Sequence, residues 1–213
     1  IDPRDWRTVY AESQDGNIVR VDGVSNERKA IRPVAARGEP PLRWNWNTPI
    51  VISSHAPDTI YVGANKVFKS TDRGHSWTAI SGDLTENTDR EGLSLMGVAA
   101  KDVKIAKNDG VQSYGNLVSL AESPKQPGVL YAGADDGTVH MTKDDGKTWT
   151  NITSKFPGAP KNAYVSQLVA SAHEVNVVYA SFDNHYNNDF NVYVYASVDG
   201  GTNFRSIGEG IPR

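Results

Sequence analysis

Three stretches decide the fold: Ser70-Thr71-Asp72-Arg73-Gly74-His75-Ser76-Trp77, Thr142-Lys143-Asp144-Asp145-Gly146-Lys147-Thr148-Trp149 and Ser197-Val198-Asp199-Gly200-Gly201-Thr202-Asn203-Phe204. Each reads hydroxyl, any residue, Asp, any, Gly, any, small polar, aromatic. The aromatic falls five positions after the aspartate in all three. Short carboxylates such as Asp72, Asp144 and Asp199 accept hydrogen bonds from N–H groups of their own turn. Gly74, Gly146 and Gly201 permit a positive φ there. Trp77, Trp149 and Phe204 then fold back and bury a large ring. The pattern predicts a stapled hairpin, and its recurrence predicts a repeat architecture.

Working outward, each octapeptide sits in the same frame of short, β-rich runs. Two runs precede the strand that leads into it: Ile50–Ser53 and Ile60–Gly63, Leu117–Leu120 and Leu130–Gly133, or Gln167–Ala170 and Val178–Ser181. The leading runs are Val67–Lys69, Val139–Met141 and Val192–Tyr195, and a fourth run starts at each aromatic. Four short strands per unit, punctuated by Gly, Pro, Asn and Asp, predict an all-β fold: a β-propeller of four-stranded antiparallel blades. Pro3 through Tyr10 matches Pro124 through Tyr131, and Asp15-Gly16 matches Asp136-Gly137. Blade one therefore lacks its innermost strand, and Val21-Asp22-Gly23-Val24 is a decayed version of the turn. The expected blades are 1–33, 44–85, 114–156 and 163–212, with a long connection at 86–113. Propellers close with about four to eight blades, so about four make an incomplete ring. The remaining blades of a longer parent chain, or a second copy, would complete it, and the first is favoured.

Composition narrows the function. Of 213 residues, 38% are apolar and 22% charged, a globular balance. Lys plus Arg number 22 against 25 Asp plus Glu, for a formal charge of −3. With no basic excess to neutralise phosphates, nucleic acid is not the expected partner. No apolar run reaches the length of a membrane span, so no membrane insertion is expected. The absence of cysteine rules out disulfides and thiolate metal sites.

The octapeptides resemble the Asp-box, or bacterial neuraminidase repeat. The blades as a whole are similar to large bacterial proteins with a sortilin-like propeller, often grouped with glycosyl hydrolases. That closer resemblance rests on Trp44-Asn45-Trp46-Asn47-Thr48-Pro49, Asp58 through Ala64, Tyr114-Gly115-Asn116 and Ala121-Glu122-Ser123-Pro124. It covers nearly the whole chain and implies an exported protein, extracellular or periplasmic. Sialidases, xyloglucan-cleaving hydrolases, sortilin-type receptors and photosystem assembly factors share the box, so it speaks for fold and not for function. The Arg-Ile-Pro segment of sialidases is not present; Ile31-Arg32-Pro33 is a scrambled echo. No catalytic residue carries over.

The resemblance also implies where a ligand would sit. In propellers the blade-to-blade connections and the loops between strands two and three share the funnel face, and the boxes lie opposite. Asp72, Asp144 and Asp199 are therefore read as structural. Four funnel-face features stand out. The 86–113 connection carries Asp89, Arg90, Glu91, Asp102 and Lys104, and is read as a solvated lid or docking segment before a catalytic one. Asp183-Asn184-His185-Tyr186-Asn187-Asn188-Asp189 has oxygen groups at alternate positions. An EF-hand would need Gly at Asn188 and Glu at Val194, so that cation reading fails and a polar loop is left. Trp44, Trp46 and Asn47, with Tyr114, Asn116 and Tyr164 at equivalent approaches, suit either sugar stacking or padding between blades. Asp135-Asp136 invites a glycosidase pair, which needs two acids about 5–10 Å apart, but Asp-Gly is a favoured turn and that reading wins. His55, His75, His140, His173 and His185 lack metal spacing, and no metal or other cofactor is expected. The sequence thus points to a binding module for a glycan or protein ligand, through Trp44, Trp46, Asn47, Tyr114, Asn116, Tyr164, His185 and Tyr186. The alternatives are part of a glycoside hydrolase, with Asp102 or Asp183 among its acids, and a structural assembly segment.

Overall fold

The computed structural model describes residues 1–95, 97–105 and 113–211. Sheet one holds β1 (Thr8–Glu12), β2 (Ile18–Asp22) and β3 (Arg28–Ala30). Sheet two holds β4 (Ile50–Ile52), β5 (Ile60–Gly63), β6 (Val67–Ser70) and β7 (Thr78–Ala79). The connection after it contains a 3-10 turn at Arg90–Gly92, a two-residue hairpin of β8 (Ser94–Leu95) and β9 (Val98–Ala99), and a 3-10 turn at Ala100–Asp102. The rest of that connection lies outside the described residues. Sheet three holds β10 (Leu117–Glu122), β11 (Leu130–Ala134), β12 (Val139–Thr142) and β13 (Thr150–Asn151). Sheet four holds β14 (Tyr164–Ala170), β15 (Val178–Asn184), β16 (Asp189–Ser197) and β17 (Arg205–Ser206). Within each sheet the strands run antiparallel in chain order, as in an up-and-down propeller blade. The fold is an all-β propeller arc, and the arc does not close.

Three apolar clusters fill the gaps between consecutive sheets. Tyr10, Ile18, Ile31, Trp44, Ile60 and Phe68 join sheets one and two. Tyr61, Val67, Leu84, Leu117, Leu120 and Leu130 join two and three. Tyr131, Phe156, Val165, Leu168, Tyr195 and Phe204 join three and four. Alternation along the strands makes this possible, since successive residues face opposite neighbours. In β15, Val178, Ala180 and Phe182 are buried toward sheet three, while Tyr179 points the other way and is exposed.

The octapeptide turns tie these layers together. In sheet two, Asp72 Oδ1 accepts from the Ser76 N–H (2.8 Å) and the Ser70 hydroxyl (2.7 Å), and Asp72 Oδ2 accepts from the Ser76 hydroxyl (2.6 Å). The Gly74 N–H donates to Ser70 Oγ at 2.7 Å. Asp144 and Asp199 repeat the scheme with Thr148 and Asn203. The turn contains two successive positive-φ residues, Arg73-Gly74, Asp145-Gly146 and Gly200-Gly201. The aromatic then crosses to the preceding sheet: Trp77 Nε1 donates to the Ile31 carbonyl (2.6 Å) and Trp149 Nε1 to the Ile80 carbonyl (2.8 Å). Phe204 has no donor and instead stacks on Phe156, with ring centroids 4.2 Å apart. In sheet one the decayed turn keeps its carboxylate function, with Asp22 Oδ1 accepting from Val24 and Ser25 N–H, but has Arg28, opposite Val21, where the ring would stand.

One boundary differs from expectation. The polar segment 183–189 is not an open loop: β15 runs through Asn184 and β16 begins at Asp189, leaving a 3-10 turn at His185–Asn187. Asn188 closes the turn with φ +58. Asn184 and Asp189 pair across the hairpin, and the Asn184 amide donates to Asp189 Oδ2 at 2.8 Å. This side-chain ladder extends the hairpin past its apolar part, which hydrophobic patterning alone does not reveal.

Candidate functional site

At one edge of the arc, the approach segments to β4 and β10 meet the turn after β11. Asp135, at the end of that strand, is the hub. Its Oδ1 accepts from the N–H groups of Gly115 (2.9 Å) and Asn116 (2.8 Å). Its Oδ2 accepts from the side-chain amides of Asn116 (3.0 Å) and Asn45 (3.3 Å). One carboxylate thus holds approach segments from two sheets. Burial, opposed by these donors and reinforced by the neighbouring Asp136, pushes the Asp135 carboxyl up to about 6. Asp136 caps its own turn by accepting from the Thr138 N–H (3.2 Å), and also accepts from the N–H of Glu86 (2.8 Å), 50 residues away. The turn reading from sequence therefore accounts for Asp136 and Gly137, and misses Asp135.

Aromatic groups border this hub. Tyr114 and Tyr164 are half-buried. Burial raises the Tyr114 hydroxyl, and the charges of Asp135 and Asp136 add to it. Tyr164 is pushed up to about 12, first by burial and then by Asp135, Tyr186 and Asp183. Tyr114 and Tyr164 thus each feel the charge of Asp135, and Tyr164 also feels Asp183 and Tyr186. Partial burial opposes ionisation of Asp183, but the His185 N–H (3.0 Å) and ring Nδ1 (2.7 Å) outweigh it and hold the carboxyl below its ordinary value. His185 stacks on Tyr186 with centroids 4.0 Å apart. Tyr186 is 68% exposed and Trp46, next to Asn45 of the hub, is 41% exposed. Asn47 is exposed next to Trp46, its N–H donating to Asn45 Oδ1.

The structure places the other candidates as follows. Trp44 is 5% exposed and belongs to the packing between sheets one and two. Its indole lies so close over Gly16 that a Cβ there would stand 2.4 Å from Trp44 Cδ2, and the Arg32 guanidinium covers it at 5.1 Å from the ring centroid. Asn116 is fully buried and its amide serves Asp135 and the Ser113 carbonyl, so it is scaffold rather than contact surface. Asp102 is exposed in its 3-10 turn, and among the described residues no hydrogen bond joins it to Asp135 or its neighbours. Among the described residues, no group of three His, Asp or Glu side chains is placed to hold a metal ion. Sequence reasoning missed Asn45, whose amide position was assigned to Asn47, and Phe190, 69% exposed just past the sheet-four turn. The signal for Asn45 was its place directly between two tryptophans on an approach segment.

Comparison with known proteins bears on this arrangement at the level of fold. No family model matches the chain, and no curated protein does. Solved structures do. The GH74 xyloglucanase from Xanthomonas campestris aligns with a TM-score of 0.64 at 17% identity, over 100% of this chain and 30% of that one. The GH74 enzyme of Niastella koreensis aligns at 0.60 and 17%, over 97% and 29%. An ancestral GH74 enzyme aligns at 0.59 and 16%, over 97% and 23%. The chain thus spans less than a third of the length of these structures. Among the described residues no helix is long and apolar enough to cross a membrane. The likeness is one of propeller architecture: this chain has the fold of an arc of those larger enzymes.

Proposed function

We propose that this chain is the ligand-binding segment of an exported, extracellular Asp-box propeller and that its ligand is a glycan. The observation that carries the reading is that two exposed rings flank members of one network: Trp46 follows Asn45, whose amide donates to the buried Asp135, and Tyr186 acts on Tyr164, which also feels Asp135. Pyranose faces stack on such rings, while preformed amides such as Asn47 and the half-buried hydroxyls of Tyr114 and Tyr164 meet sugar hydroxyls. His185 contributes by holding the Tyr186 ring in place. The remaining blades of a parent propeller would extend the surface. The similarity to GH74 structures makes β-glucans and xyloglucan oligosaccharides the first ligands to test. Titration calorimetry with xyloglucan oligosaccharides, on the chain and on Trp46→Ala and Tyr186→Ala, should give binding that each variant weakens at least tenfold. No binding to any glycan on an array, or variants that bind as the parent does, would remove the reading.

A second reading, part of a glycoside hydrolase, is favoured by one observation: two carboxyl groups that both act on Tyr164 diverge, Asp135 raised toward neutrality and Asp183 held below its ordinary value. Acid and base roles divide in this way when environments push two carboxyl groups apart. On this reading Asp135 replaces Asp102 as the acid. Release of reducing ends from xyloglucan, abolished by Asp135→Asn, would support it; a chain that binds but never cleaves leaves the binding reading standing.

A further inference from the structure

The interfaces between sheets repeat, and the last position of the repeat is open. In sheet one the cross-strand row Tyr10–Arg20–Lys29 faces sheet two. Arg20 donates to the Arg73 carbonyl at 2.9 Å, in the octapeptide turn of that sheet. In sheet two the row Tyr61–Lys69–Thr78 faces sheet three, and Lys69 pairs with Asp145 of its turn at 2.5 Å. In sheet three the row Tyr131–Met141–Thr150 faces sheet four, and the Tyr131 hydroxyl donates to the Gly200 carbonyl at 3.3 Å. Arg73, Asp145 and Gly200 hold the same place in their turns. Three times, then, a tyrosine row receives the turn of the next sheet. Sheet four carries the same row, Tyr179–Ala196–Arg205, flanked by Val169. Tyr61 and Tyr131 are each 2% exposed; Tyr179 is 42% and Val169 43% exposed.

A second feature repeats in step. Ile31, Ile80, Ile152 and Ile207 each follow the outer strand and donate their N–H to the same position of the strand before it, Ile18, Val67, Val139 and Val194. Ile31 and Ile80 receive the indole of the next sheet on their carbonyls, and Ile152 lies in the cluster that holds Phe204. Ile31 and Ile80 also abut the turn glycine so closely that a Cβ would stand 2.8 Å from the Ile31 side chain and 2.7 Å from the Ile80 carbonyl. Ile207 occupies the fourth such place and is half-exposed.

We propose that the Tyr179–Ile207 face is the docking surface for one kind of partner: a β-sheet carrying the same octapeptide turn, with glycine at its fifth position and an aromatic at its eighth. The first sheet of a second copy does not qualify. In the register of the repeat, where Lys29 matches Thr78 and Ile31 matches Ile80, it presents Arg28 at the ring position, so head-to-tail docking would lower a guanidinium onto Ile207 where the three internal interfaces place a ring. Burying that charge without a partner is unfavourable. Sheet one also lacks the inner strand from which Leu117 and Leu120, or Val165 and Leu168, pack against the preceding sheet. The face therefore selects a further sheet of the repeat over self-closure.

The test reads the accessibility of Tyr179 to tyrosine acetylation by peptide mapping. The 213-residue chain should be a monomer by light scattering, with Tyr179 labelled freely. In an extended chain in which residues 153–207 recur directly after Ile207, the second copy carries Tyr179→Phe so that only the original tyrosine is read. Labelling should fall about tenfold, as exposure drops from 42% toward the 2% of Tyr61 and Tyr131. Changing the second-copy Phe204 to Glu should restore it. The proposal is overturned if the unextended chain self-associates with Tyr179 protected, or if the Glu variant protects Tyr179 as well as the aromatic does.

Discussion

Removal of the Trp149 side chain is the perturbation that bears most on how the sheets are joined. The indole is half-buried against the cluster between sheets two and three, and its Nε1–H donates to the Ile80 carbonyl at 2.8 Å. Large-to-small changes of buried aromatics cost about 3–5 kcal/mol, and partial exposure places Trp149→Ala at the lower end, about 3 kcal/mol. Of this, about 1 kcal/mol is the net worth of the hydrogen bond. Trp149→Phe keeps most of the ring and loses the donor, so it should cost about 1–1.5 kcal/mol. Phe204 shows that a phenyl ring is compatible with the position, although there Phe156 supplies a stacking partner. With a urea dependence of about 3 kcal/mol per molar, the alanine variant should shift the unfolding midpoint by about 1 M and the phenylalanine variant by less than half that. Because neighbouring sheets couple chiefly through such interfaces, the transition should also broaden. An alanine variant that loses less than about 1 kcal/mol, or a phenylalanine variant as damaged as the alanine one, would refute the reasoning.

Gly146→Ala should destabilise by several kcal/mol, since φ is +84° and the new Cβ would stand 2.7 Å from the Ile80 carbonyl oxygen; Gly158→Ala, with φ +75° and open space, should cost about 1 kcal/mol in the same urea titration. The turn carboxylates set an acid limit: hydrogen bonds from Thr148 hold Asp144, and those from Asn203 hold Asp199, at about 2, and Ser76 holds Asp72 lower still. Folded values below the unfolded one make this contribution complete above about pH 4 and lost as pH falls through about 2, so melting temperature should drop across that window and drop less in Asp144→Asn. Asp135 acts with the opposite sign. Its folded value, raised by burial to about 6, makes ionisation unfavourable to the fold, so stability should decline from about pH 4 to about pH 6 and then level. Two units correspond to about 2.7 kcal/mol as an upper figure, and Asp135→Asn should remove that slope in thermal melts.

The parts of this molecule that are legible in sequence are those fixed by local chemistry. Ser70, Asp72, Gly74 and Trp77 interact within one turn or with the adjacent sheet, so their spacing records the geometry. The strands follow from alternation and punctuation in the same way. Asp135 was hidden because its partners, Asn45, Gly115 and Asn116, lie 90, 20 and 19 residues away, and because a strong Asp-Gly turn signal beside it already explained the dipeptide. Trp44 and Trp46 are two apart on an irregular segment, where no strand periodicity tells which ring turns inward; contact with Gly16 decides it. The extension of the sheet-four hairpin depends on the Asn184–Asp189 side-chain bond, invisible to hydrophobic patterning.

Indole proton exchange, followed by NMR on uniformly labelled chain, confronts the joining of sheets by folded-back rings most directly. The Nε1–H signals of Trp77 and Trp149 should exchange slowly, each bonded to a carbonyl of the preceding sheet, while those of Trp6 and Trp46, 66% and 41% exposed, exchange near the free rate. Trp77 and Trp149 exchanging as fast as Trp6 would mean that the rings do not bridge the sheets, and the account of the fold would fail.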